Sequence, residues 1–112
     1  MTASSTARVK CDRPGRYARQ LASHFAQTQR TSWDPESGRG ELTFTDPEGT
    51  VDMIEGDGML LIHLQCPPES LDRLEEMVGT RLARAGCDDA LEIVWKRPGG
   101  VEGSRWVAAP ES

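Results

Sequence analysis

From Thr6 to Cys11 the chain alternates, with Ala7, Val9 and Cys11 on one side and Arg8 and Lys10 on the other, the period of two that marks a half-buried strand. The period then lengthens. Tyr17, Leu21, His24, Phe25 and Thr28 recur at helical spacing and predict a helix from about Arg13 to Gln27, capped by Asp12 and opened by Pro14, whose ring needs no backbone donor in a first turn. Two stretches, WDPESGR and TDPEGT, then place Asp-Pro ahead of a glycine, the composition of a type I turn, and EGDGM closes a further hairpin. Between these turns the strands fall near Thr31–Asp34, Arg39–Thr45, Thr50–Glu55 and Met59–Cys66, and connections this short make neighbours antiparallel. Beyond the Pro67-Pro68 breaker, Leu71, Leu74, Val78, Leu82 and Ala85 mark an amphipathic helix that Gly86 can end, and LEIVWK, Leu91 to Lys96, returns as a last strand.

The order β-α-β-β-β-β-α-β predicts an α+β fold, a mostly antiparallel sheet of about six strands with two helices on one face. A single domain is expected over residues 6–98, with residues 1–5 flexible. Residues 99–112, rich in Gly, Pro and Ser and without periodicity, read as a flexible tail in which Trp106 and Val107 dock weakly. Alternation assigns Val9, Leu42, Phe44, Val51, Met53, Leu60, Ile62, Leu64, Leu91, Ile93 and Trp95 to the helix-covered face. The opposite face then carries Lys10, Glu41, Thr43, Thr45, Asp52, His63, Gln65, Glu92 and Lys96, interrupted by an apolar island of Ile54, Met59, Leu61 and Val94.

Composition narrows the partners. With 112 residues the chain can bury one core without metal or disulfides. Its 13 Lys+Arg against 18 Asp+Glu leave a net charge of −5, which argues against nucleic acid and anionic lipid as partners. No apolar run approaches the roughly 20 residues that span a bilayer, and MTASSTARVK lacks the apolar core of a secretory signal, so a cytoplasmic protein is expected. Cys11, Cys66 and Cys87 are odd in number, far apart and outside any CxxC pair, so buried or half-buried thiols are expected rather than a disulfide framework or a zinc site.

The segments VKCDRPGRYARQLASHFAQ, the Trp33-Asp34 turn region and LEIVWKRP together resemble bacterial domain-of-unknown-function family 2218, over roughly residues 6–98. That resemblance implies a small single-domain cytoplasmic protein of the same plan, defined by no biochemical activity, with an association with siderophore and iron-handling genes. It also implies a Ser-His-aromatic-Ala-His-Lys run late in the first helix. Ser23, His24, Phe25 and Ala26 match its first four positions, whereas Gln27 and Thr28 replace the second histidine and the lysine. A paired-histidine role is therefore not carried over whole.

The candidate functional residues are Ser23, His24, Gln27, Asp52 and His63. A lone imidazole beside a neutral amide makes a poor metal site, and His24 is expected to pack in the apolar stripe with its ring nitrogens satisfied. His63, on the wet face near Gln65, pairs with Asp52 across one hairpin if the register allows. The acidic pairs Asp46/Glu48, Glu75/Glu76 and Asp88/Asp89 lack the further oxygen ligands of a cation site and are expected to be solvated. The glycines of EGDGM and RPGGVEG lack the strand-to-helix setting and the Lys-Ser/Thr of a phosphate loop. No metal or cofactor is expected, and no catalytic set is assigned. The leading expectation is a non-enzymatic module that binds a small ligand, or a protein partner or second copy through the island Ile54, Met59, Leu61 and Val94. An iron or siderophore accessory is the alternative, and an acid-base enzyme a distant third.

Overall fold

A computed structural model describes residues 2–45, 48–85 and 91–107. The strands are β1 (Ala3–Lys10), β2 (Arg30–Asp34), β3 (Arg39–Thr45), β4 (Glu48–Gly56), β5 (Met59–Cys66), β6 (Glu92–Arg97) and β7 (Val101–Val107), and the helices are α1 (Pro14–Phe25) and α2 (Leu71–Ala85). All pairings are antiparallel, and the strands run in the order β2-β3-β4-β5-β1-β6-β7. The expected α+β sheet is thus present with seven strands among the described residues. The first strand is inserted between β5 and β6, so residues far apart in sequence share the middle of the sheet.

Both helices cover one face. The first packs over β2 to β5 and the second over β5, β1, β6 and β7. All eleven core positions read from the alternation are buried, none more than 3 % exposed. Period-two burial works here because each strand has a dry side under a helix and a wet side opposite. Phe25 of α1 meets Phe44 edge-on with ring centres 5.1 Å apart, which fixes the helix over β3.

The differences from expectation have identifiable causes. Pro14 occupies the first helical position, so the cap falls on Arg13 rather than Asp12, and no side chain caps the helix. The helix ends at Phe25: the Ala26 N–H caps it by donating to the Ala22 carbonyl at 2.9 Å, and the Thr28 and Gln29 N–H groups then close a turn on the Phe25 carbonyl, at 3.1 and 2.7 Å. Gln27 therefore lies beyond the helix. At the N-terminus, β1 begins at Ala3, opposite Cys66, rather than at Thr6.

The largest correction concerns the expected tail. Residues 101–107 form an edge strand, reached through a turn in which Gly99 and Gly100 adopt φ of 79° and 77°, values that glycine tolerates without a Cβ clash. Its apolar alternation is absent because β7 carries a bulge: from Val94↔Arg105 to Lys96↔Glu102, three steps on β7 match two on β6. Gly103 and Ser104 occupy that irregularity. Of the remaining readings, the cap at Gly86, the thiol of Cys87, the carboxylates of Asp46, Asp88 and Asp89, and the last five residues of the tail lie outside the described residues.

Candidate ligand site

The register lays polar residues in rows across the open face. One row runs Ser32, Glu41, Asp52, His63, Thr6, Lys96 and Glu102, from β2 to β7. Asp52 does stand opposite His63. The ring, however, bonds the other way: Thr6 Oγ1 and His63 Nδ1 are 2.9 Å apart. Among the described residues no hydrogen bond joins Asp52 to the imidazole.

The neighbouring row runs Arg39, Ile54, Leu61 and Arg8 on β3, β4, β5 and β1, with Val94 on β6 opposite Arg105. Ile54 and Leu61 are thus cross-strand partners, while Val94 lies on the far side of β1 with the Arg8 position between. Met59 begins β5, two residues before Leu61 on the same face and opposite Lys10, so it stays beside Leu61. Of the expected apolar island, Ile54, Leu61 and Met59 stay together and Val94 is set apart, because the strand inserted between β5 and β6 presents Arg8 there.

On the basic side of this face the surface dips into a cavity of about 660 Å³. Ser4, Thr6 and Arg8 of β1 line it from one strand, His63 from β5, and Val94, Lys96, Arg97 and Pro98 from the end of β6. Three cationic residues and no carboxylate line it, in a chain whose net charge is −5. The three cations differ in their commitments. Lys96 reaches Glu102 at 2.9 Å in an exposed pair. Arg97 is held from beneath by Glu75 of α2, donating Nε to Oε2 and Nη2 to Oε1 at 3.1 Å each, and it also contacts Asp72. Arg8 is exposed and has no ion-pair partner among the described residues.

Glu75 was expected on the solvated face of its helix but is fully buried. The irregular stretch of β7 turns Ser104 toward it, and Ser104 donates both its backbone N–H, at 3.1 Å, and its hydroxyl, at 2.9 Å, to Oε1. Gly103 is required beside it, since a Cβ there would stand 2.6 Å from Glu75 Oε2. Burial pushes the carboxyl pKa up, but hydrogen bonds from Arg97, Ser5 and Ser104 together outweigh it, and the net shift is downward. The carboxylate is therefore ionised and clamps Arg97 at the rim of the cavity. Trp95 completes the junction by donating Nε1 to the Glu75 carbonyl at 3.1 Å.

The residues matched in the first helix lie elsewhere. Ser23, His24 and Gln27 are all exposed and share a shallow depression with Arg81 of α2, on the helical side of the molecule. His24 is thus not a core histidine. It flanks the buried stripe of Tyr17, Ala18, Leu21, Ala22 and Phe25 and sets its ring edge-on to Phe25 at 4.8 Å. Desolvation first, and then the Arg81 guanidinium, hold its pKa below the usual imidazole value. Among the described residues no three His, Cys, Asp or Glu side chains gather as metal ligands. No helix among them is long and apolar enough to cross a membrane.

Of the cavity residues, sequence reasoning singled out His63 and Val94 and missed the rest, Thr6 and Arg8 among them. Their alternation with Ala7 and Val9 placed them on the wet face, but only the strand order brings them beside His63 and Lys96.

A family model matches residues 6–96, that of DUF2218, described as an uncharacterized protein conserved in bacteria. The chain belongs to the DUF2218 family. The NMR structure of PA4090 from Pseudomonas aeruginosa is similar to this DUF2218 chain, with 26% identity and a TM-score of 0.67, covering 88% of this chain and 99% of that one. Among curated proteins no match is found. The family description names no reaction or ligand, so the cavity's chemistry carries the functional reading for this DUF2218 protein.

Proposed function

We propose that the chain is a small non-enzymatic binding module that takes a small ligand on the open face of its sheet, between β1, β5 and β6. The observation that supports this reading is the cavity of about 660 Å³, within the range of roughly 300–1,000 Å³ that small-ligand sites occupy. Its apolar wall, Val94 and Pro98, faces several convergent polar groups, the mixture that fixes a ligand's orientation. The ligand reading is preferred to a flat protein interface because Arg8 separates Val94 from Ile54, Leu61 and Met59, which leaves only three half-buried apolar side chains in one patch. It is preferred to catalysis because, among the described residues, the Thr6–His63 pair lacks a third group hydrogen-bonded to the ring.

A thermal-shift screen of small molecules tests the proposal, with Val94→Phe as the comparison protein, since a phenyl ring at this half-buried position crowds the apolar wall on which a ligand would lie. Ferric siderophores belong in the screen, following the iron-handling association of the family. Ligands that raise the melting temperature of the parent should leave Val94→Phe unmoved. Hits that stabilise both proteins equally bind elsewhere and remove the basis of the reading.

A further inference from the structure

We infer that the ligand of this cavity is a small organic anion, a carboxylate or phosphate monoester on an apolar body, gripped by Arg8 and Lys96. The inference rests on the reading of the open face as a ligand site and adds the ligand's chemical class. Three cationic residues and no carboxylate line the cavity, and the carboxylates that pair with Lys96 and Arg97 (Glu102, Glu75 and Asp72) stand outside the lining, which leaves Arg8 as the unpaired charge among the described residues of the lining. Arg97 contributes least, because Glu75 and Asp72 already neutralise its guanidinium. Lys96 is tied only through an exposed contact with Glu102, their side chains 54% and 74% accessible. Pairs of that kind contribute little and exchange readily for a better acceptor. Arg8 has its planar fork of donors uncommitted among the described residues, which suits bidentate recognition of a carboxylate or phosphate.

The Thr6–His63 pair supplies a neutral donor. A hydroxyl has one proton, so Thr6 can donate to the ligand only when His63 carries its proton on Nδ1 and donates to Thr6 Oγ1 across the 2.9 Å contact. Binding an anion at Thr6 therefore selects the form of the ring that is protonated at Nδ1. Asp52 stands on the far side of His63 and outside the cavity lining, which confines the anionic group to the β1 and β6 side. An inorganic ion alone would leave most of the volume empty, whereas an apolar body beside Val94 and Pro98 fills it.

Amide NMR titrations of the full chain with benzoate, phenyl phosphate and the neutral isostere benzamide test the inference. Either anion should shift Thr6, Arg8, Val94 and Lys96 together and bind at least about tenfold more tightly than benzamide, and the preferred one names the acid class. Arg8→Gln should lose about tenfold in affinity for that anion at an unchanged melting temperature, Arg8→Lys should recover part of it, and Arg16→Gln, an equal change of net charge on α1, should lose nothing. The His63 ring nitrogens, followed by 15N shifts, should report a proton on Nδ1 in the complex. Equal affinity for benzamide and benzoate at these residues would overturn the anion class while leaving the ligand site standing. An unchanged affinity in Arg8→Gln would overturn the assigned grip. Shifts elsewhere, or none with any probe up to about 10 mM, would overturn both the inference and the ligand-site reading, since even ligands of roughly ten heavy atoms reach millimolar affinity in a formed pocket.

Discussion

Replacing Glu75 by glutamine changes one buried atom and tests the junction that holds the last strand. In the parent, both carboxylate oxygens accept hydrogen bonds, from Arg97 twice and from Ser104 twice. Glutamine keeps the shape but turns an NH2 group toward Arg97 Nε–H, or toward Arg97 Nη2 and the Ser104 backbone N–H, which have only donors to offer it, and only the Ser104 hydroxyl can turn to accept. Removing one partner of a buried ion pair costs about 3–5 kcal/mol. Arg97 is not left stranded, because its side chain is 28% exposed and keeps Asp72, so the lower end of that range, about 3 kcal/mol, applies. With an unfolding entropy of roughly 2.1 cal/mol/K per residue, the melting temperature of a chain this long should fall by about 13 °C.

The same substitution has a signed pH dependence. The folded pKa of Glu75 lies below the ordinary value of 4.5, so its linked stability is fully present above 4.5 and is lost as the pH falls through the folded value. Urea unfolding followed by tryptophan fluorescence should therefore show the full gap between parent and Glu75→Gln near neutral pH, and a shrinking gap below about pH 4. A gap under about 1 kcal/mol at neutral pH, or one that is the same at about pH 7 and pH 3, would refute the assignment of an ionised, hydrogen-bonded carboxylate.

Substitutions at three further positions read the helices. Because His24 is exposed, His24→Leu and His24→Asp should each change stability by no more than about 0.5 kcal/mol, and a cost above about 2 kcal/mol for either in denaturant titration would restore a packing role. Its ring should titrate below the usual imidazole value by NMR, and Arg81→Gln should raise that midpoint toward it. Gly79→Ala adds a Cβ against the Trp106 indole, so crowding of roughly 1–3 kcal/mol opposes a helix-propensity gain of about 1 kcal/mol. Net destabilisation with a shifted tryptophan emission is expected, and a stabilised protein with unchanged emission would contradict the packing of β7 on α2.

Most of the sheet was legible because each strand's burial depends on its own alternation. Val51, Met53, Leu60, Ile62 and Leu64 each announce their face within a few residues, and the turns between them are short enough to dictate antiparallel neighbours. What depends on distant pairing was not legible. The insertion of β1 between β5 and β6 follows no local signal, yet it brings Thr6 to His63 and divides Leu61 from Val94. His24 misled for a related reason: helical spacing identifies a stripe, but a residue on its flank near the helix end is decided by what the neighbouring helix covers.

The β7 segment shows why a strand can resemble a linker. A Gly-Ser pair offers nothing apolar to bury, and a glutamate beside another glutamate in a helix reads as a wet face. Each makes sense only with the other. The bulge inserts an extra residue opposite Trp95, which disrupts the ladder and turns the Ser104 N–H inward. A buried N–H without an acceptor would be costly, and a buried carboxylate without donors more so. Bringing them to 3.1 Å satisfies both, with Arg97 supplying the compensating charge. Glycine at 103 is what lets Glu75 approach, and glycine at 79 is what lets Trp106 lie against α2. The same arrangement positions Arg97 at the edge of the cavity while neutralising it, so the charge left to recognise a ligand there falls to Arg8 and Lys96. Edge strand, buried carboxylate and cavity rim are in this sense one construction, and weakening Glu75 should loosen β7 and the Arg97 wall together.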